Sequence, residues 1–215
     1  MRKVIPTVFA KTKNEFDDRF NKLKKISRDI QIDIMDGKFV SNKSIGLDKL
    51  PDMKHINAEA HLMVNDPENY FEILKKKHIK KVLFHYESFN DLSTVKRIFS
   101  EARKLQLTVF LVFNPETSFR TIISVIENIG SLKGIMLMGV TPGKENQELN
   151  KTVLRKIKNI KRDKKITIQV DGGVNDETAL ILKNAGADII NTGSYVSRSK
   201  NPEESLKKLE SLFLR

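Results

Sequence analysis

Two acidic residues follow apolar segments that lie far apart in the chain. Asp33 lies in the run Ile-Asp-Ile-Met-Asp-Gly at 32–37, and Asp171 follows the β-branched run 166–170. A single Asp after a buried strand is most often a turn former or a helix cap. Two carboxylates at the ends of separate strands suggest general acid/base chemistry. With His61 between them in sequence, they predict a catalytic site.

Apolar runs alternate with amphipathic helical patterns along the chain, which is typical of βα units around a parallel sheet. We predict eight strands, over Val4–Phe9, Ile30–Ile34, Asn57–Met63, Lys81–His85, Leu107–Phe113, Gly134–Met138, Ile166–Val170 and Ile189–Asn191. Helices are predicted over Lys13–Lys25, Pro67–Lys77, Leu92–Leu105, Ser118–Ile129, Asn150–Lys161, Glu177–Asn184 and Pro202–Leu212. The segment Lys38–Lys54 is polar, so the helix after the second strand is expected to be short or displaced. The sequence therefore predicts a single (β/α)8 barrel, a TIM barrel, over residues 1–215.

An open doubly wound sheet is the alternative fold. It normally carries a Gly-rich loop after its first strand, and residues 7–10, Thr-Val-Phe-Ala, contain no Gly. In a closed barrel, the active site lies at the C-terminal strand ends and in the loops that follow them. In this chain those ends carry Thr7, Asp33, Met35, Asp36, His61, Met63, His85, Asn114, Met138, Asp171, Gly172, Gly173, Gly193 and Ser194. Polar residues thus lie at the end of the barrel where this fold has its active site.

Two short glycine-containing segments follow the last two predicted strands. Gly172-Gly173 follows the seventh strand and Gly193-Ser194 follows the eighth. Either segment alone is equally compatible with an ordinary tight turn. Barrels commonly hold a phosphate group on backbone N–H groups at these two places, where glycine allows a close approach. Together the segments predict a phosphate-binding end of the site.

Composition and charge narrow the class of protein. The chain has 215 residues, no Cys and no Trp, so thiolate metal sites and a Cys nucleophile are excluded. The net charge of +12 comes from short lysine groups near predicted helix ends, without interleaved aromatic residues. This favours an anionic substrate over nucleic acid. No window approaches the roughly 18 apolar residues of a membrane span, and the N-terminus is too short for a signal peptide, so we expect a cytoplasmic protein without membrane contact.

The sequence resembles the ribulose-phosphate 3-epimerase family of the pentose phosphate pathway over nearly the whole chain. The blocks that carry the resemblance are Ile5–Thr7, Asp33–Val40, His61–Val64, Phe84–Glu87, Asn114-Pro115, Met138 with Pro142-Gly143, Val170–Val174 and Gly193-Ser194. Each block is short, but their order and spacing are specific. The resemblance implies a barrel of the ribulose-phosphate-binding type and an isomerase that interconverts D-ribulose 5-phosphate and D-xylulose 5-phosphate.

The resemblance also implies roles for the acidic residues. One of Asp33 and Asp171 would remove the C3 proton and the other would return it on the opposite face, through an enediolate stabilised by a divalent metal ion. The family's ligands are two His and the same two Asp, of which Asp33, His61 and Asp171 are retained. Gln31 stands where the family has its other His. Zinc is expected from the family, and Gln31 as an oxygen ligand would suit Mn²⁺ or Mg²⁺ better.

The resemblance implies a substrate pocket formed by Thr7, Met35, His61, Met63, Met138, Gly143, Gly172, Gly173, Gly193 and Ser194. The three methionines would surround the reacting carbons, although methionine on strands is otherwise ordinary core filling. Residues 142–147 read Pro-Gly-Lys-Glu-Asn-Gln where the family has Pro-Gly-Phe-Gly-Gly-Gln. Losing two glycines reduces backbone contact with phosphate, and Lys144 either supplies a charge instead or is an exposed loop lysine.

Three other functions are considered. An epimerase of a related hexulose phosphate is the nearest variant, since the altered loop lies where such a change would act. A decarboxylase or aldol-type synthase of the same superfamily would carry an Asp-x-Lys-x-x-Asp pattern. In this chain Met35 stands two residues after Asp33, where that pattern has Lys, which argues against this function. A catalytically silent sugar-phosphate-binding barrel would explain Gln31, but the intact pair of Asp33 and Asp171 opposes it. A phosphorylated ketose is the expected partner, and the resemblance implies a homo-oligomer.

Overall fold

Eight parallel strands close into a barrel in the computed structural model, which describes residues 2–130, 132–144 and 147–214. The strands are β1 Lys3–Val8, β2 Asp29–Met35, β3 Asn57–Met63, β4 Lys81–His85, β5 Thr108–Phe113, β6 Gly134–Met138, β7 Thr167–Asp171 and β8 Ile189–Thr192. Each strand pairs with the next, and β1 closes the barrel by pairing in parallel with β8. The TIM barrel predicted from the sequence is confirmed, and the open doubly wound sheet is excluded.

Helices surround the barrel. They are α1 Lys13–Leu23, α2 Phe71–Lys76, α3 Leu92–Lys104, α4 Phe119–Ile129, α5 Thr152–Asp163, α6 Asp176–Ala185, α7 Ser194–Ser197 and α8 Pro202–Leu214. Three 3₁₀ turns accompany them, at Leu47–Lys49, Pro67–Tyr70 and Tyr86–Ser88. The polar segment after β2 contains only the first of these turns, as its composition indicated. Within the described ranges, no helix has both the length and the apolar character needed to cross a bilayer.

Local signals explain where several helices begin and end. The Asn175 side chain accepts a hydrogen bond from the backbone N–H of Thr178, whose hydroxyl binds back to the backbone of Asn175, and this capping box starts α6. Ser118 caps α4 through the backbone N–H of Thr121. Gly130 ends α4 at φ 67°, a left-handed conformation that glycine adopts without a steric penalty.

Two packing regions hold the barrel. Outward-facing strand residues pack against the helices in one large apolar core, whose fully buried side chains include Phe16, Phe71, Phe84, Phe113 and Phe213. The barrel interior is mixed. A smaller apolar cluster is formed by Ile5, Leu83, Phe110, Val112, Met136, Met138, Val140 and Ile189. Buried polar side chains from β2, β3, β7 and β8 fill the other side of the interior, and they lead to the candidate site.

Candidate active site

The strand register brings Asp33, His61 and Asp171 together at the C-terminal end of the barrel. Asp33 lies opposite His61 on the neighbouring strand, and Asp171 ends β7 across the interior. The Nδ1 atom of His61 lies 3.3 Å from Oδ1 of Asp33 and 3.4 Å from Oδ2 of Asp171. The three side chains singled out in the sequence therefore form one cluster, with ligand atoms within 4.8 Å of one another.

Burial and neighbouring charges shift the pKa values of Asp33 and His61. Burial raises the pKa of Asp33 to about 6, and the carboxylate of Asp171 adds to that rise against the opposing effect of His61. Burial alone would lower the pKa of His61, but the facing carboxylates of Asp171 and Asp33 overcome it and raise that pKa to about 9. Without a metal ion, His61 is therefore protonated at neutral pH, and its charge offsets part of the negative charge of the carboxylates.

His85 and Asn114 fix the ring orientation of His61. The Nε2 atoms of His61 and His85 lie 2.9 Å apart, and Nδ1 of His85 lies 2.9 Å from Oδ1 of Asn114. Because an amide oxygen only accepts, Nδ1 of His85 carries a proton and its Nε2 accepts the Nε2–H of His61. Burial lowers the pKa of His85, which keeps that ring neutral. The arrangement leaves Nδ1 of His61 directed at the two carboxylates, and it gives His85 and Asn114 a role that sequence reasoning did not assign.

A divalent metal ion fits this donor set. Nδ1 of His61 is buried and has no hydrogen-bond partner, although two carboxylate oxygens face it. An imidazole nitrogen and two carboxylates are ligands that zinc and manganese accept, and three protein ligands are typical of a catalytic zinc site. The hydrogen bond from His61 to His85 is the kind of outer contact that orients a metal-binding histidine. Over the described residues, this is the one group of His and acidic side chains so arranged.

Gln31 lies directly beneath the cluster. Its Nε2 atom donates to Oδ2 of Asp171 at 2.6 Å and to Oδ1 of Asp33 at 3.0 Å. Its Oε1 atom accepts from Nδ2 of Asn191 at 2.7 Å. Gln31 thus joins the site as the sequence indicated, but its NH₂ group, and not its amide oxygen, faces the carboxylates.

A cavity of about 430 Å³ opens above the cluster. All of the residues expected to contact substrate line it: Thr7, Met35, His61, Met63, Met138, Gly143, Gly172, Gly173, Gly193 and Ser194. Met35 and Met63 pack with Phe9 in a small apolar cluster near the carboxylates. Apolar side chains therefore shield the part of the cavity next to the carboxylates.

Glycine is structurally required after β7. Gly172 and Gly173 have φ angles of 96° and 70°, which L side chains rarely adopt. A Cβ atom on Gly173 would lie 2.6 Å from the Cα of Leu149, and one on Gly172 would lie 2.3 Å from a methyl group of Val140. The segment therefore presents bare backbone to the cavity.

The altered loop after β6 is held by its own contacts. Gln147 donates through Nε2 to the backbone oxygens of Thr141 and Lys144, at 2.7 Å and 3.0 Å. The backbone oxygen of Gly143 accepts from the side chain of Asn42 at 2.7 Å, which joins this loop to the segment after β2. Residues 145 and 146, part of the altered sequence, lie outside the described residues.

Lys144 and Arg198 place two cationic side chains on the cavity lining. Lys144 was considered from the sequence, whereas Arg198 and its neighbour Tyr195 were not. Tyr195 directly follows the predicted phosphate segment Gly193-Ser194, and Arg198 lies four residues beyond Ser194. This closeness in sequence is the signal that could have identified them.

Sequence comparison with known proteins finds similarity to one enzyme family. The model of the family described as Ribulose-phosphate 3 epimerase family matches residues 3–197. The ribulose-phosphate 3-epimerase of Bacillus subtilis (strain 168) is 30% identical over 223 aligned positions, covering 97% of this chain and 98% of that protein. The enzyme of the same name from Helicobacter pylori (strain ATCC 700392 / 26695) is 28% identical over 191 positions, covering 85% of each chain.

Solved structures agree on the fold. The 3-hexulose-6-phosphate synthase from Salmonella typhimurium has a TM-score of 0.75 at 15% identity, covering 100% of this chain and 99% of that one. The orotidine 5'-phosphate decarboxylase from Pyrococcus horikoshii OT3 has a TM-score of 0.66 at 18% identity, covering 99% of each chain. At such low identity these matches show the shared barrel alone.

Proposed function

The chain belongs to the ribulose-phosphate 3-epimerase family, and from this premise we propose that it interconverts D-ribulose 5-phosphate and D-xylulose 5-phosphate by proton transfer at C3. The observation that carries the proposal is the pair of carboxylates of Asp33 and Asp171, whose side chains are only 13% and 12% exposed and which reach one cavity from β2 and β7. Strands that are not neighbours supply the two groups, so a sugar carbon between them has a carboxylate on each face.

The reaction needs one base and one acid at the same carbon. One carboxylate takes the C3 proton, the electrons of the C–H bond pass to the C2 oxygen, and an enediolate forms. The other carboxyl group then delivers a proton to the opposite face of C3. Burial raises the pKa of Asp33 to about 6, which brings it closer to neutral pH, where a general base works best.

Asp33, His61 and Asp171 would hold the family's divalent metal ion, with zinc expected and Mn²⁺ or Mg²⁺ as alternatives. When bound, such an ion polarises the C2 ketone as a Lewis acid and stabilises negative charge on the C2 and C3 oxygens. His85 keeps Nδ1 of His61 available for this purpose. Met35, Met63 and Met138 keep water away from the reacting carbons.

Part of the cavity lining is suited to the phosphate group. Backbone at Gly172, Gly173 and Gly193 lines the cavity, and Lys144 and Arg198 add positive charge. A dianionic group held by these residues would anchor the sugar so that C3 lies between the carboxylates. The altered loop after β6 lines the same cavity through Gly143 and Lys144, and this observation keeps a hexulose phosphate as the second candidate substrate.

Solvent deuterium incorporation at C3 of D-ribulose 5-phosphate, followed by NMR, tests the proposal. We expect exchange together with formation of xylulose 5-phosphate, lost after chelation and restored by Zn²⁺, Mn²⁺ or Mg²⁺. Exchange only with a hexulose phosphate would favour the second candidate. No exchange with either sugar, in protein shown to bind metal, would indicate a silent barrel.

A further inference from the structure

A chain of buried hydrogen bonds runs through the barrel interior and ends on the carboxylate pair. Lys81 Nζ donates to Gln169 Oε1 at 2.7 Å, and Gln169 Nε2 donates to Asn191 Oδ1 at 2.6 Å. Asn191 Nδ2 donates to Gln31 Oε1 at 2.7 Å. Gln31, Gln169 and Asn191 are each 0% exposed, so no solvent competes with the bonds that join these three side chains.

The chemistry of Lys81 sets the direction of the whole chain. An ammonium group only donates, so Gln169 must turn its oxygen to Lys81 and its NH₂ group to Asn191. Asn191 must then present its oxygen to Gln169 and its NH₂ group to Gln31. Gln31 is left with its oxygen facing Asn191 and its NH₂ group facing the carboxylates. Ionised carboxylates only accept, so the other end of the chain imposes the same direction.

Glu59 reinforces this direction. Its Oε2 atom pairs with Lys81 at 2.8 Å. Its Oε1 atom accepts from Gln169 Nε2 at 2.5 Å and from Asn191 Nδ2 at 3.0 Å. Because a carboxylate cannot donate, Glu59 holds the NH₂ group of Asn191 in place even if Gln169 is replaced.

We propose that Gln31 is a positioning residue and not a metal ligand: its NH₂ group bridges Asp33 and Asp171, and Asn191 keeps its amide oxygen turned away from the metal position. The oxygens that Gln31 contacts are the same atoms that face Nδ1 of His61. Gln31 therefore fixes the spacing of the two carboxylates, and the protein supplies three metal ligands. The effect on turnover rests on the proposed function, whereas the effect on metal binding does not.

The decisive variant is Gln31→Met, which keeps the length of the side chain and removes both its donor and its oxygen. The dissociation constant for Zn²⁺, measured by competition with a chromogenic chelator, should stay within about threefold of the parent value or become tighter. With ribulose 5-phosphate, kcat should fall about 10–100-fold at saturating Zn²⁺, with little change in KM. A fall in kcat that saturating Zn²⁺ does not restore, with KM unchanged, separates misplaced carboxylates from lost metal or lost substrate binding.

Gln31→His and Gln169→Met complete the experiment. Gln31→His adds an imidazole and should tighten Zn²⁺ binding about tenfold or more. Gln169→Met is the matched control: it makes the same change one layer away from the carboxylates, and it should cost stability but lower kcat much less than Gln31→Met does. Thermal unfolding of each variant shows whether it is folded. If Gln31→Met does not fold, the Zn²⁺ affinity of Gln31→His still tests metal binding.

Three outcomes overturn the assignment. Zn²⁺ binding weakened tenfold or more in Gln31→Met, with kcat restored by excess metal, would make Gln31 a ligand. A kcat in Gln31→Met no lower than that of Gln169→Met would make Gln31 a packing residue. Unchanged Zn²⁺ affinity in Gln31→His would show that this side chain does not reach the metal position. If the parent protein turned over no ketose phosphate, the proposed function would fail, while the Zn²⁺ affinities would still decide the role of Gln31.

Discussion

At the scale of single residues, Asp33 and Asp171 are expected to act on opposite faces of the same carbon. Asp171→Asn is nearly isosteric but removes a base, so epimerisation should fall by about 10³-fold or more without loss of fold. Asp33 remains, so deuterium should still enter the one epimer whose C3 proton faces it. NMR of each purified epimer in D₂O checks this.

The control for Asp171→Asn is Asp163→Asn, the same change at the exposed end of α5. It should leave both epimerisation and exchange at the parent level. Turnover of Asp171→Asn near the parent rate would show that Asp171 is not a proton donor or acceptor in this reaction.

His61 makes metal affinity depend on pH. Its pKa is raised to about 9, so at pH 7 a bound metal ion must displace a proton from Nδ1. The apparent affinity for Zn²⁺ should therefore rise as pH increases from 7 to 9, by up to about tenfold per unit, and level off above the pKa. Calorimetric titration in buffers of different ionisation enthalpy should show release of about one proton per ion at pH 7.

His78→Asn is the matched control for this dependence. His78 lies on the surface beside Asp52, away from the cavity, and its left-handed φ of 61° suits Asn. The variant should keep the pH dependence of the parent. An affinity that stays flat between pH 7 and 9 in the parent would show that Nδ1 of His61 is not a ligand.

The sequence predicts that Asp33, His61 and Asp171 come together, but it does not predict their hydrogen bonds. Their proximity was predictable because each lies within the last three residues of a strand, and the C-terminal strand ends of a barrel meet at one face. The contact of His61 with His85 and the orientation of Gln31 depend on side-chain positions across the barrel interior. A one-dimensional pattern does not contain those distances, so the donor role of Gln31 emerged only from the structure.

At the scale of elements, capping explains how α4 is placed after β5. Ser118 accepts from the backbone N–H of Thr121, so Ser118→Ala should lower the free energy of unfolding by about 1 kcal/mol. Ser124→Ala, an exposed serine within the same helix, removes a hydroxyl without a capping role and should be neutral or slightly stabilising. Urea denaturation of both variants measures the difference, and equal stabilities would contradict the capping role.

Element boundaries were predictable where the apolar pattern was strong. The bounds of β3, β4 and β6 match the prediction, and the other strands differ by a residue or two. The helix predicted over Pro67–Lys77 is divided in the structure. Its first turn, Pro67–Tyr70, is a 3₁₀ turn, and the regular α-helix covers Phe71–Lys76. The four-residue helix α7 was missed, since so short an element has no measurable periodicity.

At the scale of the whole molecule, the homo-oligomer expected from the family stays a prediction, which sedimentation would test.

The net charge of +12 affects how an anionic substrate reaches the cavity. Positive charge on the protein, including Lys144 and Arg198 at the cavity lining, should attract a phosphorylated sugar over about 8 Å at physiological salt. Association should therefore be faster at low ionic strength, whereas proton transfer within the buried cluster should not depend on salt.

The value of kcat/KM for ribulose 5-phosphate should therefore fall several-fold as ionic strength rises from about 0.01 to 0.3 M, while kcat stays constant. Arg198→Gln should lower kcat/KM and flatten its dependence on salt, because a charge is lost at the cavity itself. Arg28→Gln makes the same change just before β2, at the opposite end of the barrel, and should retain most of the slope. Equal slopes in the two variants would mean that the total charge attracts the substrate, and that Arg198 has no particular part in guiding the phosphate into the cavity.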